Sequence, residues 1–254
     1  MNKTKIEWCD STWNPVTGCM HGCEYCYARR IAERFGKKVP DYSGYPGSHG
    51  GIHMLENKFD SNLYPFLFEP TFHANRLSEP QRKKPQTIFV CSMADLFGEW
   101  VPDKWIEEVF AACERAPQHR YLFLTKNPER YAQLDRLAIL PHRDNFWYGS
   151  TITDTTSRGF NGGIDLNTFL SIEPLHEYLD AGLGSFGCVR LITIGAETGN
   201  RAKKIIPEKA WVDNISKAAD LTRAAVFMKD SLLPIMGEEN MRRELPWEEA
   251  QCTS

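Results

Sequence analysis

Cys19, Cys23 and Cys26 stand in the segment CMHGCEYC with spacing C-x3-C-x2-C. Three thiolates this close in sequence can hold three irons of a [4Fe–4S] cube, leaving the fourth iron open to a substrate or cofactor. A purely electron-carrying cluster would normally take a fourth cysteine. Gly18 and Gly22 give the loop the backbone freedom to wrap such a group. The chain has eight cysteines. Its N-terminus, MNKTKIEWCD, lacks an apolar signal region, so paired disulfides are not expected and a cytoplasmic location is. Cys113 falls in an apolar helical pattern and reads as a small buried hydrophobe; Cys188 and Cys252 have no partner pattern.

A second set of chemistry-bearing residues follows short apolar runs. Ser92 and Asp95, Thr125 and Lys126, Ser150 and Thr151, Glu173, Glu197, then Lys229 and Asp230 each close or follow such a run. If the runs are parallel strands, these side chains gather at one rim, where parallel α/β folds build their sites. Strand-end polar residues also serve as helix caps and loop ties.

The elements that must position these residues are legible from patterning. Thr87–Cys91, Tyr121–Thr125, Phe146–Ile152, Thr168–Ile172, Arg190–Gly195 and Ala225–Met228 are apolar without alternation, which suits parallel strands covered on both faces. Lys5–Cys9 is taken as the first strand. A helix is expected over Tyr27 to Phe35 with Ile31 and Phe35 on its apolar side. Another is capped by Asp103 after Pro102, with Ile106, Val109, Phe110 and Cys113 inward. A third opens at Asn127-Pro128 with Tyr131, Leu134 and Ala138. A fourth follows Pro207 with Trp211, Ile215, Ala218 and Leu221. Strand–helix alternation predicts one α/β domain over 1–254, a partial or near-complete parallel (β/α) barrel of about six to seven strands. The segment 36–86 breaks the alternation. It reads as a long insertion after the first unit, and its aromatic residues (Tyr42, Tyr45, Phe59, Tyr64, Phe66, Phe68, Phe72) suit a packed lid over the barrel mouth.

Composition narrows the class further. With 254 residues, 42% hydrophobic and 25% charged, the chain can bury a sizeable core. The formal charge of -3 argues against attachment to nucleic acid by bulk charge, though not against a local basic groove. No apolar run approaches the ~20 residues of a membrane span. Neither a G-x-x-x-x-G-K-[ST] nor a G-x-G-x-x-G loop occurs.

At the cysteine motif, with Tyr25 just before the third cysteine, the chain resembles the radical S-adenosylmethionine superfamily. It is also similar to a family of phage and bacterial proteins of unknown function. The segments carrying that narrower likeness are KIEWCDSTWNPVTGC, CEYCYARR, FHANRLSEP, IFVCSMADLFGEWVP, APQHRYLFLTKNPERY, FLSIEPL and ITIGAETG. The superfamily resemblance implies a [4Fe–4S] cluster on Cys19, Cys23 and Cys26, with S-adenosylmethionine chelated at the open iron. One electron, drawn from a reductase or flavodoxin-like donor, would then give a 5′-deoxyadenosyl radical that takes hydrogen from a substrate. It also implies an adenine contact at Tyr25 and a methionyl contact at Ser92 and Asp95, although Ser92-Met93-Ala94-Asp95 departs from the usual Gly-Gly-Glu. Ribose or substrate contacts are implied at Ser150, Thr151, Glu173 and Glu197. Nucleic acid or a nucleobase is the substrate class that the likeness suggests.

Two other readings stay open on the residues alone. Cys9 or His21 could complete a zinc site with the three cysteines. The basic groups at 81–84, Arg29-Arg30 and 201–204, with Trp8, Trp13, Trp100 and Trp147, could bind nucleic acid without catalysis. His49, His53 and His73 are read as loop hydrogen-bonding residues.

Overall fold

A computed structural model describes residues 1–36, 51–57, 64–180 and 186–248. The chain divides into two compact units, Met1–Pro141 and His142–Ser254. The fold is mixed α/β and mostly parallel.

In the first unit the strands are β1 (Asn2–Lys3), β2 (Ser11–Trp13), β3 (Val16–Thr17), β4 (His53–Leu55), β5 (Thr71–His73), β6 (Thr87–Val90) and β7 (Arg120–Thr125). The helices are α1 (Tyr27–Phe35), α2 (Asp103–Glu114) and α3 (Glu129–Arg136). The main sheet runs β1-β2-β6-β7 here, antiparallel only at β1–β2. Lys5–Cys9 is not a strand but a turn: Cys9 N–H donates to Ile6 C=O at 3.5 Å. The first parallel strand lies just beyond it, Ser11–Trp13, with Thr12 opposite Phe89. What decides the position is Trp13. Its ring is fully buried, its Nε1 donates to the Arg76 carbonyl at 2.9 Å, and its own carbonyl accepts from Cys91.

The 36–86 segment belongs in part to this unit's second sheet. β5 pairs antiparallel with β3 and parallel with β4. Phe66, Phe68 and Phe72 are buried, as packed anchors should be. Residues 37–50 and 58–63, which include Tyr42, Tyr45, His49 and Phe59, lie outside the described residues. His53 and His73 hydrogen-bond to Glu69 and Thr17 as expected, but from strands β4 and β5 rather than from loops.

α2 buries Trp105, Ile106, Val109, Phe110, Ala112 and Cys113, the stripe an amphipathic helix presents to a core. Asp103 sits inside its first turn rather than capping it, and pairs with Arg130 of α3. α3 stops at Arg136, so Ala138, at φ 56°, falls past its end. α1 spans the expected residues, but its buried face is Ala28 and Ala32; Phe35 is 60% exposed. Two alanines four residues apart let this helix approach the cysteine loop closely.

The second unit holds β8 (Phe146–Ile152), β9 (Asn167–Ile172), β10 (Leu191–Ile194), α4 (Lys209–Thr222), β11 (Ala225–Met228) and the short α5 (Leu233–Met236). Its strands run β8-β9-β10-β11, all parallel. β9 and β10 are buried throughout, which explains their non-alternating sequence. α4 covers them with Val212, Ile215, Ala218 and Ala219. Leu221, expected inward, is 63% exposed because it lies off that stripe, and Trp211 packs only at its margin. Closure of the strands into a barrel is not seen among the described residues. No helix among them is long and apolar enough to cross a membrane.

Candidate functional site

The cysteine loop starts where β3 ends. Gly18 has φ +85°, and a Cβ there would stand 2.2 Å from the Glu69 carbonyl oxygen, so both conformation and space demand glycine. Its N–H donates to Met93 C=O at 2.8 Å, and Cys19 N–H to Phe68 C=O at 3.1 Å. Cys26 caps α1: its Sγ accepts from Arg29 N–H at 3.3 Å. The Arg29 guanidinium turns back over the Phe68 ring and donates to Cys19 C=O.

Cys19 and Cys26 pack beside Ala28, Ala32, Phe68 and Met93. Burial pushes the Cys19 thiol up to about 12; the nearby Asp95, Cys23 and Cys26 add to the rise, and a hydrogen bond from the His21 backbone opposes it. Cys23 and Cys26 are thus near enough to Cys19 to act on its charge. Among the described residues no group of three or more His, Cys, Asp or Glu converges as a single-ion site. A cube is larger than one ion, so its thiolates need not meet at a point. Three thiols on one loop are the donor type that a cluster would need, and Cys19 would have to give up its proton to bind one. Cys9 turns its thiol toward Ile6 C=O.

The segment after β6 grips this loop. Ser92 donates its Oγ–H to Asn14 Oδ1 at 3.2 Å, and its carbonyl accepts from Tyr27 Oη–H at 2.7 Å. Met93 N–H also reaches Asn14 Oδ1, and Ala94 bridges Gly18. Asp95 is buried and accepts four hydrogen bonds: Phe97 N–H at 3.0 Å and Thr125 Oγ–H at 2.7 Å on Oδ1, His21 Nε2–H at 2.7 Å and Lys126 N–H at 2.9 Å on Oδ2. Lys126 Nζ donates to Tyr25 Oη at 2.7 Å. Thus Tyr25, Ser92, Asp95 and the three cysteines are brought together in the first unit.

This chain's residues 3–234 match the family described as "Protein of unknown function (DUF5131)". The chain belongs to that family. No curated protein and no solved structure matches it.

The other expected contacts lie in the second unit. Ser150 is buried and accepts from Phe160 N–H at 2.9 Å, while Thr151 is half-buried. Glu173 pairs with Lys229, reaching from the end of β9 to the end of β11 across Gly195. Glu197, whose side chain is only 3% exposed, pairs with Arg201 and with His176 at 3.2 Å. A cavity of about 530 Å³ in this unit is lined by Ile152, Asp154, Arg158, Phe160, Leu170 and Phe186 among others; none of the four expected contacts lines it.

Patterning missed Asn14, His21 as a partner of Asp95, and the Tyr25–Lys126 contact. A signal existed for two of them. Asn14 follows a strand, and His21 lies between two of the cysteines, where a polar ring must find a partner if the loop is packed.

Proposed function

We propose that this chain is a radical S-adenosylmethionine enzyme. In this reading the [4Fe–4S] cluster is held by Cys19, Cys23 and Cys26 on a partial parallel (β/α) barrel. The observation that carries the reading is the placement of the cysteine loop. It follows the first parallel strand and is tied to the segments just after β6 and β7, the strand ends where parallel sheets hold ligands. Bound there, the cluster would supply one electron for cleavage of the S-adenosylmethionine sulfonium bond, giving the 5′-deoxyadenosyl radical that abstracts hydrogen from the substrate.

The chain's own residues divide the remaining work. Cys26 has its sulfur fixed at the start of α1 by the Arg29 amide. Cys19 sits against Phe68 and Met93, which keep water from that side of the loop. Tyr25, Ser92, Ser150, Thr151, Glu173 and Glu197 are the contacts assigned to S-adenosylmethionine or substrate, and a nucleic acid or nucleobase is the substrate class. A reductase or flavodoxin-like protein supplies the electron.

The test is anaerobic reconstitution with ferrous iron and sulfide, reduction, and addition of S-adenosylmethionine. The reading expects four irons per chain and 5′-deoxyadenosine as product. Single Cys→Ala replacement at 19, 23 or 26 should reduce bound iron to background, while Cys113→Ala should retain it. Zinc in place of iron, or a full iron complement without 5′-deoxyadenosine, overturns it. A nucleic-acid substrate requires binding that weakens with salt.

A further inference from the structure

We infer that His21 and Asp95 form an anchor that holds the cysteine loop in its ligating arrangement before any metal arrives, so both are positioning residues. That the arrangement is a ligating one rests on the function proposed above; the anchoring itself does not.

A carboxylate has about four lone-pair sites. Phe97 N–H, Thr125 Oγ–H, Lys126 N–H and His21 Nε2–H occupy four. A methionyl amine would have to displace one of these donors, so the role that the family likeness implies for Asp95 does not suit its bonding. Two of the donors, Thr125 Oγ–H and Lys126 N–H, lie at the end of β7 and fix the carboxylate to that strand, while Phe97 N–H closes a local turn of the segment after β6. The fourth, His21, is the middle of the loop itself, two residues from Cys19 and two from Cys23. The anchor thus ties the arc between two cysteines to the segment after β6 and the end of β7.

The surroundings hold His21 to one orientation. Its ring packs edge-on to Trp100 at 4.8 Å. Trp100 in turn lies where a side chain on Gly98 would be, since a Cβ there would meet its ring at 2.3 Å. Asp95, Gly98 and Trp100 of ADLFGEW therefore act as one support. The ends of the loop are held separately: Gly18 by Met93 and Cys26 by its cap on α1. Cys19 N–H on Phe68 C=O and Tyr25 Oη on Lys126 hold the arc on either side, and His21 is its tie to Asp95.

The experiment uses full-length, metal-free protein. Alkylation of each thiol by iodoacetamide is followed by peptide mass spectrometry, and amide exchange is measured over residues 18–26. In His21→Ala, Cys19 and Cys23 should alkylate about ten-fold faster, the effect of losing one charge-assisted hydrogen bond. Exchange should rise in the loop and stay unchanged in α2. His21→Gln, which can donate an amide N–H to Asp95, should recover most of the protection. Thr125→Val removes one donor from outside the loop and should give a smaller rise at the same thiols. Uptake of ferrous iron with sulfide should fall in the same order. If His21→Ala and Thr125→Val both match the native protein in alkylation and exchange, the anchor does not exist. If they differ as expected but the native protein takes up no iron, the anchor stands and the enzymatic reading falls.

Discussion

The two units use carboxylates at strand ends in different ways. In the first, Asp95 is buried and its partners are mostly rigid: two backbone N–H groups, a buried hydroxyl and a histidine wedged on a tryptophan. In the second, Glu173 and Glu197 are met by the tips of Lys229, Arg201 and His176, which are between 17% and 24% exposed. A carboxylate held by backbone cannot move without disturbing the segments that hold it. A part-exposed carboxylate such as Glu173, held by one lysine, can part from that partner at small cost, because both ends of the pair reach water. The contrast is one of support: the Asp95 carboxylate is tied largely by backbone and a buried hydroxyl, the Glu173 and Glu197 carboxylates by side-chain cations.

The largest effect that tests this contrast is in the first region. Asp95→Ala should destabilise the protein by about 3–5 kcal/mol in urea unfolding, because four donors lose their acceptor in a buried setting. Glu173→Ala, which leaves Lys229 able to reach water, should cost under about 1 kcal/mol. Equal losses would erase the distinction.

The pH dependence of stability should also belong mainly to the first unit. His73 is buried, and burial first, then the Arg76 guanidinium, lower its pKa from 6.5 to about 3; Thr17 Oγ1 sits at 2.9 Å from its Nε2. The folded state then binds fewer protons than the unfolded state between these values, so stability is complete above pH 6.5 and falls as pH drops toward 3. At pH 4.5 the loss from this residue should be about 2–3 kcal/mol relative to pH 7.5. Chemical unfolding at the two pH values, repeated with His73→Gln, checks it: the variant should show a clearly shallower dependence. An unchanged slope would place the titration elsewhere.

Much of the scaffold was legible in sequence, and the reasons are physical. β6 to β11 announced themselves because strands buried on both faces must be apolar at every position, and α2 because its stripe repeats at helical spacing. The first strand was displaced to Ser11–Trp13, since Lys5–Cys9 carries an apolar-looking IEWC that is used in a turn. On α1, Ile31 packs at the edge of the apolar face as expected, but Phe35 does not, because close packing on a loop selects Ala28 and Ala32. Of the site, the cysteines and the Ser92–Asp95 segment were visible as motif and strand end. Their joining through Asn14, His21 and Tyr27 was not, because single hydrogen bonds between loops distant in sequence leave no periodic trace.

The smallest effect concerns Gly195, over which the Glu173–Lys229 pair passes. A Cβ there would stand 3.1 Å from Lys229 Cδ and 3.3 Å from Glu173 Cγ and Cδ. These atoms belong to side chains that can shift by a few tenths of an ångström, and Gly195 is not among the glycines with positive φ. Gly195→Ala should therefore cost only about 0.5–1 kcal/mol, part of it offset by reduced freedom in the unfolded chain. The cost should depend on the pair. In a Glu173→Ala background the obstruction on one side is gone, and Gly195→Ala should become neutral. A double-mutant cycle by urea unfolding should give a coupling of about 0.5 kcal/mol or more. Zero coupling would mean that glycine is required at 195 for some other reason, and that the pair is not what the strand leaves room for. A coupling of several kcal/mol would mean that the pair is held as rigidly as Asp95, and the contrast between the two regions would fail at the place it should be clearest.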